Sequence, residues 1–243
     1  MNEIEYRTLA VVEDSMWWFR GLRTNLDALI GRFVGKPTGR FLDAGCGTGG
    51  TLRHLNTSLG SVSLYGIDLF PQAVAFARER TTAPIAVSSV NALPFPDGCF
   101  RCIVSVDVIC QRGVTLSRAI SEFYRCIEPG GHLILQAPAY MWLWGYHDVQ
   151  CHTAQRFTSS RLKILLCEHG FVPCFASYWN MVLLPLVAIR RKLLPKQKTE
   201  SDVREYPALL DGLFGWLVSF EAMLIRNGVH LPFGSSVILV ARK

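Results

Sequence analysis

Two carboxylates and a run of glycines carry the first chemistry that can be read in this chain. Residues Asp43-Ala44-Gly45-Cys46-Gly47-Thr48-Gly49-Gly50 hold the spacing Gly-x-Gly-x-x-Gly at Gly45, Gly47 and Gly50. Glycine in a tight turn lets backbone N–H groups approach a ligand with no Cβ in the way. Between a strand and a helix, such a turn suits a nucleotide-like ligand. Asp68 lies nineteen residues after Gly49 and ends a second apolar run. A carboxylate there can accept hydrogen bonds from both hydroxyls of a ribose. Taken alone, the glycine spacing also fits an ordinary turn.

A second set of reactive side chains comes later, in Tyr146-His147-Asp148-x-x-x-His152-x-x-x-Arg156-Phe157. An imidazole held by a carboxylate makes a general base, which suits an acceptor of high pKa. His147, Asp148 and His152 are the candidate catalytic residues. Loop hydrogen bonding that only holds a lid is the alternative. Their spacing matches no standard zinc set, so no metal is expected. Asp107 follows a β-branched run and reads either as a site carboxylate or as a helix N-cap. Trp17-Trp18-Phe19-Arg20, with Arg23, reads as core packing or as a lid over a bound ligand.

The elements that must position these residues alternate. Residues 1–35 show helical spacing at Leu22, Leu26, Leu29 and Ile30. Short apolar strands are predicted at 40–43, 62–67, 84–87, 100–106 and 132–136, with helices at 51–59, 71–80 and 116–127. Alternating strand and helix predicts a parallel sheet covered on both faces, with ligands at the carboxyl ends of the strands. Residues 140–157 read as an active-site loop, 159–169 as a helix and 171–178 as a sixth strand. The last strand is expected at 236–241.

The 243 residues suit a single large domain. The expected division is a helical cap at 1–36, a core at 37–178, an apolar helical insertion at 179–228 and a last strand at 229–243. A net charge of +6 from 25 basic and 19 acidic residues is too mild and too scattered for a nucleic-acid stripe. The eight cysteines lie mostly in apolar patterns, as reduced cytosolic thiols do. Cytoplasmic placement is expected, with contact to a membrane surface as an addition.

The order Phe-Leu-Asp-Ala-Gly-Cys-Gly-Thr-Gly, Gly-Ile-Asp, Ala-Leu-Pro-Phe and Pro-Gly-Gly, at residues 41–49, 66–68, 92–95 and 129–131, resembles the class I S-adenosylmethionine-dependent methyltransferases. It is most similar to their broad type 11 group, which includes ubiquinone- and menaquinone-pathway enzymes. The resemblance is strong over residues 40–136 and looser at the ends. It implies a Rossmann-like α/β fold: a seven-stranded, mostly parallel sheet with helices on both faces, plus the apolar insertion. It implies S-adenosyl-L-methionine as cofactor. Gly45, Cys46 and Gly47 would pass under the methionine part, and Asp43 would help hold its amino group. Asp68 would bind the ribose, Leu69 would pack on the adenine and Val90 would offer it backbone contacts. Ser89 stands where the group usually has an acid facing the adenine amino group. Asp107 would edge the methyl-transfer site. A His-Asp segment like 147–148 occurs at this place in ubiquinone-pathway O-methyltransferases.

The acceptor expected from the apolar insertion is a hydrophobic small molecule: isoprenoid, quinone-like or lipid-linked. Two other readings of the glycine loop stay open, a nicotinamide-dependent oxidoreductase and a non-catalytic binding protein. The first lacks a Tyr-x-x-x-Lys pair. The best candidate for a membrane span, Phe175–Ile189, is too short and is broken by Asn180 and Pro185. Residues 179–196 instead combine an apolar run with Arg190, Arg191 and Lys192, as interfacial segments do.

Overall fold

In a computed structural model, residues 3–36, 38–60, 62–192 and 206–243 are described. The strands are β1 (Arg40–Ala44), β2 (Ser63–Asp68), β3 (Ile85–Val87), β4 (Phe100–Val106), β5 (Ile127–Pro138), β6 (Val172–Trp179) and β7 (Ser236–Arg242). They form one sheet in the order β3-β2-β1-β4-β5-β7-β6. The first five run parallel, and β7 is antiparallel to both β5 and β6. The strand order reverses between β1 and β4, which is where open α/β sheets bind ligands.

Period-two alternation distributes the core. Phe41, Cys102, Val104, Ile134, Ile238 and Val240 point to one face. Leu42, Ile103, Leu133, Leu135 and Leu239 point to the other. Helices α3 (Gly50–Leu59), α4 (Pro71–Arg80), α5 (Leu116–Cys126) and α7 (Ser159–Glu168) connect the strands. Pro71 opens α4, where a missing N–H costs nothing. Thr158 caps α7 by accepting from Arg161 N–H.

The amino-terminal region is two helices rather than one continuous run: α1 (Glu3–Ser15) and α2 (Trp17–Leu29), followed by a π-helical turn at Ile30–Val34. Leu22, Leu26, Leu29 and Ile30 are all buried, as their spacing requires. Residues 140–157, expected as loop, contain a 3-10 turn at Met141–Leu143 and the short helix α6 (Tyr146–Gln150). The insertion holds α8 (Leu184–Lys192) and α9 (Ala208–Arg226). The charged stretch from Lys196 to Glu205 lies outside the described residues.

Helix α9 packs on α2. The approach is close, because a Cβ on Gly21 would meet Val218 Cγ2 at 2.8 Å. Phe175–Ile189 holds the end of a strand, a turn and the start of a helix, whereas among the described residues α9 has the length and apolar composition to cross a membrane.

Candidate active site

The glycine loop begins where β1 ends. Gly45 and Cys46 donate their N–H groups to Ile67 O at 2.9 and 2.8 Å, fastening the loop to β2. Gly45 has φ +93, and a Cβ there would lie 2.1 Å from Val108 Cγ2. Only glycine serves, because the loops after β1 and β4 touch across the point of reversal. Gly50 is crowded from another side: its Cβ would lie 2.5 Å from Glu13 Oε2 of α1.

Asp68, at the end of β2, accepts from Gly47 N–H at 2.9 Å on Oδ2 and from Phe70 N–H at 3.0 Å on Oδ1. Burial raises its pKa, and these N–H donors oppose the rise. The carboxylate thus shapes the loop as well as facing the cavity beyond it. That cavity, of about 520 Å³, is lined by all nine residues expected at the cofactor: Asp43, Gly45, Cys46, Gly47, Asp68, Leu69, Ser89, Val90 and Asp107. Leu69 is half exposed at the mouth, and Val90 is buried. Ser89 Oγ already accepts from Asn91 N–H at 3.1 Å, so its lone pair shapes the turn after β3.

Asp43 is buried, and its Oδ2 has no hydrogen-bond partner. Burial pushes its pKa up to about 8, and the charges of Asp68 and Glu13 add to the rise. Leaving a carboxylate in this state is costly unless a cation arrives to face it. S-adenosylmethionine carries two cationic groups, an ammonium and a sulfonium, so the orphaned oxygen suits it. Arg23 lines the same cavity and is held by Glu13 O and Asp14 O at 2.8 and 2.9 Å. It can face the cofactor's carboxylate.

Sequence spacing gave no sign of one part of this wall. Tyr6, Leu9 and Glu13 of α1 also line the cavity. Glu13 accepts from Thr48 Oγ1 at 2.5 Å and pairs with Arg80, which also bonds Thr48 O. Asp14 pairs with Arg80 and Arg53. These ion pairs fasten α1 to the glycine loop and to α4. A glutamate in a polar helix looks like any solvated acid, so only its partners reveal the contact.

A second cavity of about 270 Å³ adjoins the first. Leu9, Trp18, Phe19, Asp107, Gln111 and Cys151 line both. Asp107 has a left-handed backbone, φ +53. Its N–H bonds Gln136 O at 3.0 Å, and its O accepts from Cys110 Sγ and Gln111 Nε2. Its Oδ1 is buried without a partner. Burial pushes its pKa up to about 7, against the opposing charge of Arg156.

The structure divides the three expected catalytic residues. His147 and Asp148 line the second cavity, while His152 lines the first. Asp148 is not placed as a carboxylate serving His147. Its two oxygens take Arg156 Nε and Nη2 at 2.8 and 3.0 Å, and Oδ2 also caps α6 by accepting from Gly145 N–H at 2.8 Å. Arg191 approaches the same oxygen at 3.5 Å. The His147 ring sits instead near Cys151 Sγ, at 3.5 Å from Nε2. Adjacent residues on a helix point about 100° apart, so neighbours in sequence need not meet.

The basic end of α8 also departs from expectation. Arg190 and Arg191 turn inward to line the second cavity, bonding Tyr206 Oη at 3.3 Å and Leu143 O at 2.8 Å. Of the three basic residues expected to meet a surface, Lys192 is the exposed one. Trp17 and Trp18 both pack against other aromatic rings and line cavities. Trp17 packs edge-on against Phe214 and lines the second cavity, while Trp18 packs on Trp179 and lines both.

A family described as methyltransferase domain matches residues 42–135. Over 144 residues the chain is 32% identical to the malonyl-[acyl-carrier protein] O-methyltransferase of Enterobacter lignolyticus, covering 56% of each chain. Over 106 residues it is 38% identical to the 2-methyl-6-phytyl-1,4-hydroquinone methyltransferase of a Synechocystis species, covering 41% of this chain and 32% of that one. The chain thus spans about half or less of the length of these curated relatives. The geranyl diphosphate C-methyltransferase of Streptomyces coelicolor, solved with geranyl diphosphate and S-adenosyl-L-homocysteine, superposes with a TM-score of 0.59 at 15% identity, over 89% of this chain and 76% of that one. The phosphoethanolamine N-methyltransferase 2 of Haemonchus contortus, solved with S-adenosyl-L-methionine, superposes with a TM-score of 0.59 at 19% identity, over 90% of this chain and 52% of that one. The matched methyltransferase domain, residues 42–135, lies on the strands and loops that build the larger cavity.

Proposed function

We propose that this chain transfers a methyl group from S-adenosylmethionine to a small acceptor with an apolar body and a polar head, seated in the second cavity. The observation that carries this is the shared wall: two cavities of unequal size meet at Asp107, Trp18 and Phe19. The bound cofactor supplies an electrophilic methyl group. The chain's own residues bind, orient and exclude water, which is most of what such a displacement needs. Asp68 holds the ribose, Asp43 faces the cationic end, and α1 closes the site through Glu13 and Thr48. Trp18 and Phe19 keep water from the junction.

Asp107 takes the acceptor's proton. Among the described residues it is the carboxylate that borders both cavities, and it is poised to change charge near neutral pH. Asp148 holds Arg156 in place. His147 stands on the acceptor side as a positioning group. Leu9, Met16, Trp17 and Val187 favour an apolar body, while Asn180, Tyr206, Arg190 and Arg191 favour a polar head. 2-Methyl-6-phytyl-1,4-hydroquinone and geranyl diphosphate, which stand in the names of two similar proteins, are of this kind.

Calorimetry should show saturable binding of S-adenosylhomocysteine and none of NADH. Labelled methyl from S-adenosylmethionine should then pass to members of a library of prenylated phenols. Binding of NADH in place of S-adenosylhomocysteine would turn the reading to hydride transfer.

A further inference from the structure

Helix α9 presents Leu209, Leu213, Trp216, Phe220 and Met223 to solvent at alternating four- and three-residue spacing, a single stripe of the helix. Leu209 is 86% exposed and Trp216 is 65% exposed. The rings of Trp216 and Phe220 stack with centroids 6.4 Å apart. On the opposite side, Val218, Ala222 and Ile225 are buried. Both acids of α9 turn away from the stripe. Asp211 accepts from Trp17 N–H and pairs with Arg20, and Glu221 accepts from the N–H groups of Met181 and Val182. The exposed stripe therefore carries no charge.

Among the described residues, exposed cations stand at both of its ends. Arg226 closes the helix, and Arg32 reaches its carbonyl at 3.1 Å. At the other end, Arg190 of α8 bonds Tyr206, two residues before α9 begins. That bond brings the end of α8, with its exposed Lys192, to the start of α9. We infer that the α9 stripe docks on the surface of an anionic lipid bilayer. An uncharged stripe with an aromatic pair and basic flanks is what an interfacial helix needs. The net charge of +6 favours the same partner. A second copy of this chain is the weaker occupant. Pairing two stripes in either direction sets a cationic end on a cationic end, whereas lipid headgroups neutralise both. The helix lies in the surface rather than across it, because its other face is packed on α2 and holds Glu221.

The docking does not depend on methyl transfer, and its test is separate. The full chain should sediment with vesicles of phosphatidylcholine and phosphatidylglycerol at low salt, and should be released as added salt shortens the Debye length. Trp216→Glu should lower the bound fraction about tenfold or more, and so should the pair Lys192→Glu with Arg226→Glu. Each variant should keep the wild-type melting temperature and S-adenosylhomocysteine affinity. Failure to sediment with anionic vesicles overturns the inference, as does equal binding to phosphatidylcholine alone. Undiminished binding by the folded Trp216→Glu variant does so too. A stable dimer by light scattering that Trp216→Glu splits would assign the stripe to a second copy.

Discussion

Three aspartates at strand ends do different work because their surroundings differ. Asp68 has N–H donors on both oxygens, so Asp68→Ala should remove the proposed ribose contact and loosen Gly47 together. Affinity for S-adenosylhomocysteine should fall by about 1.5–3 kcal/mol, the range for a hydrogen bond to a charged group; unchanged calorimetric affinity would remove Asp68 from the site. Asp43 has an unpartnered buried oxygen and a pKa near 8, so at pH 7 the free protein holds it largely protonated. A cationic ligand favours the ionised form. Binding at pH 7 should therefore release a proton, seen as enthalpies that vary with the ionisation heat of the buffer. Identical enthalpies in all buffers would mean that Asp43 does not face the cation. Asp107→Asn should lower turnover by roughly 10²–10⁴-fold and abolish the acid limb of the rate profile near pH 7, with S-adenosylhomocysteine affinity nearly unchanged. A variant that keeps that limb would return the proton to His147. The positions of all three aspartates were legible in the sequence. Their different roles were not, since desolvation and donor geometry are set by residues far away in the chain.

At the scale of elements, the glycine loop and α6 each rest on a close contact made by one residue. Gly45→Ala places a methyl group 2.1 Å from Val108 Cγ2 and forces a side chain into φ +93. The backbone strain costs about 1–2 kcal/mol, and the overlap about 1–3 kcal/mol more. The melting temperature should drop and S-adenosylhomocysteine binding should weaken. Adding Val108→Ala should restore part of the loss, because it removes the clashing atom; a strictly additive pair would show that the two loops do not touch. Helix α6 depends on Asp148, which caps it and anchors Arg156 with nearly full burial of both side chains. Arg156→Met would strand that carboxylate, at a cost of about 3–5 kcal/mol. Asp148→Asn in the same chain should recover much of it in urea unfolding. The pattern His-Asp-x-x-x-His suggested a base with its orienting acid. Helical geometry separated them, and Arg156, eight residues on, took the acid.

For the molecule as a whole, the raised carboxyl groups set the direction of its pH dependence. Asp43 and Asp107 have folded pKa values near 8 and 7, above the unfolded value of about 3.9. Between those limits the native state binds more protons than the unfolded state, so stability falls as pH rises from about 4 to about 8. The melting temperature of the cofactor-free protein should decline across that window. S-adenosylhomocysteine, whose ammonium offsets the Asp43 charge, should raise it most at the alkaline end. A flat or rising melting curve would show that these carboxyl groups are ionised in the free protein.

The sequence by itself determined the alternation of strands and helices and the order of the motifs, each written in local period and in short spacings that a chain imposes on itself. The cofactor followed from the family resemblance those motifs carry, since the glycine spacing alone left other ligands open. It also named nine candidate cofactor residues, all of which line one cavity. Only the tertiary structure decided that α1 latches the glycine loop through Glu13, Thr48 and Arg80, that Asp148 belongs to Arg156, and that Arg190 and Arg191 turn inward. The physical reason is the same in each case. These contacts join residues as much as 67 positions apart, or depend on which way a helix face turns. No local pattern encodes either until the sheet and its helices have packed.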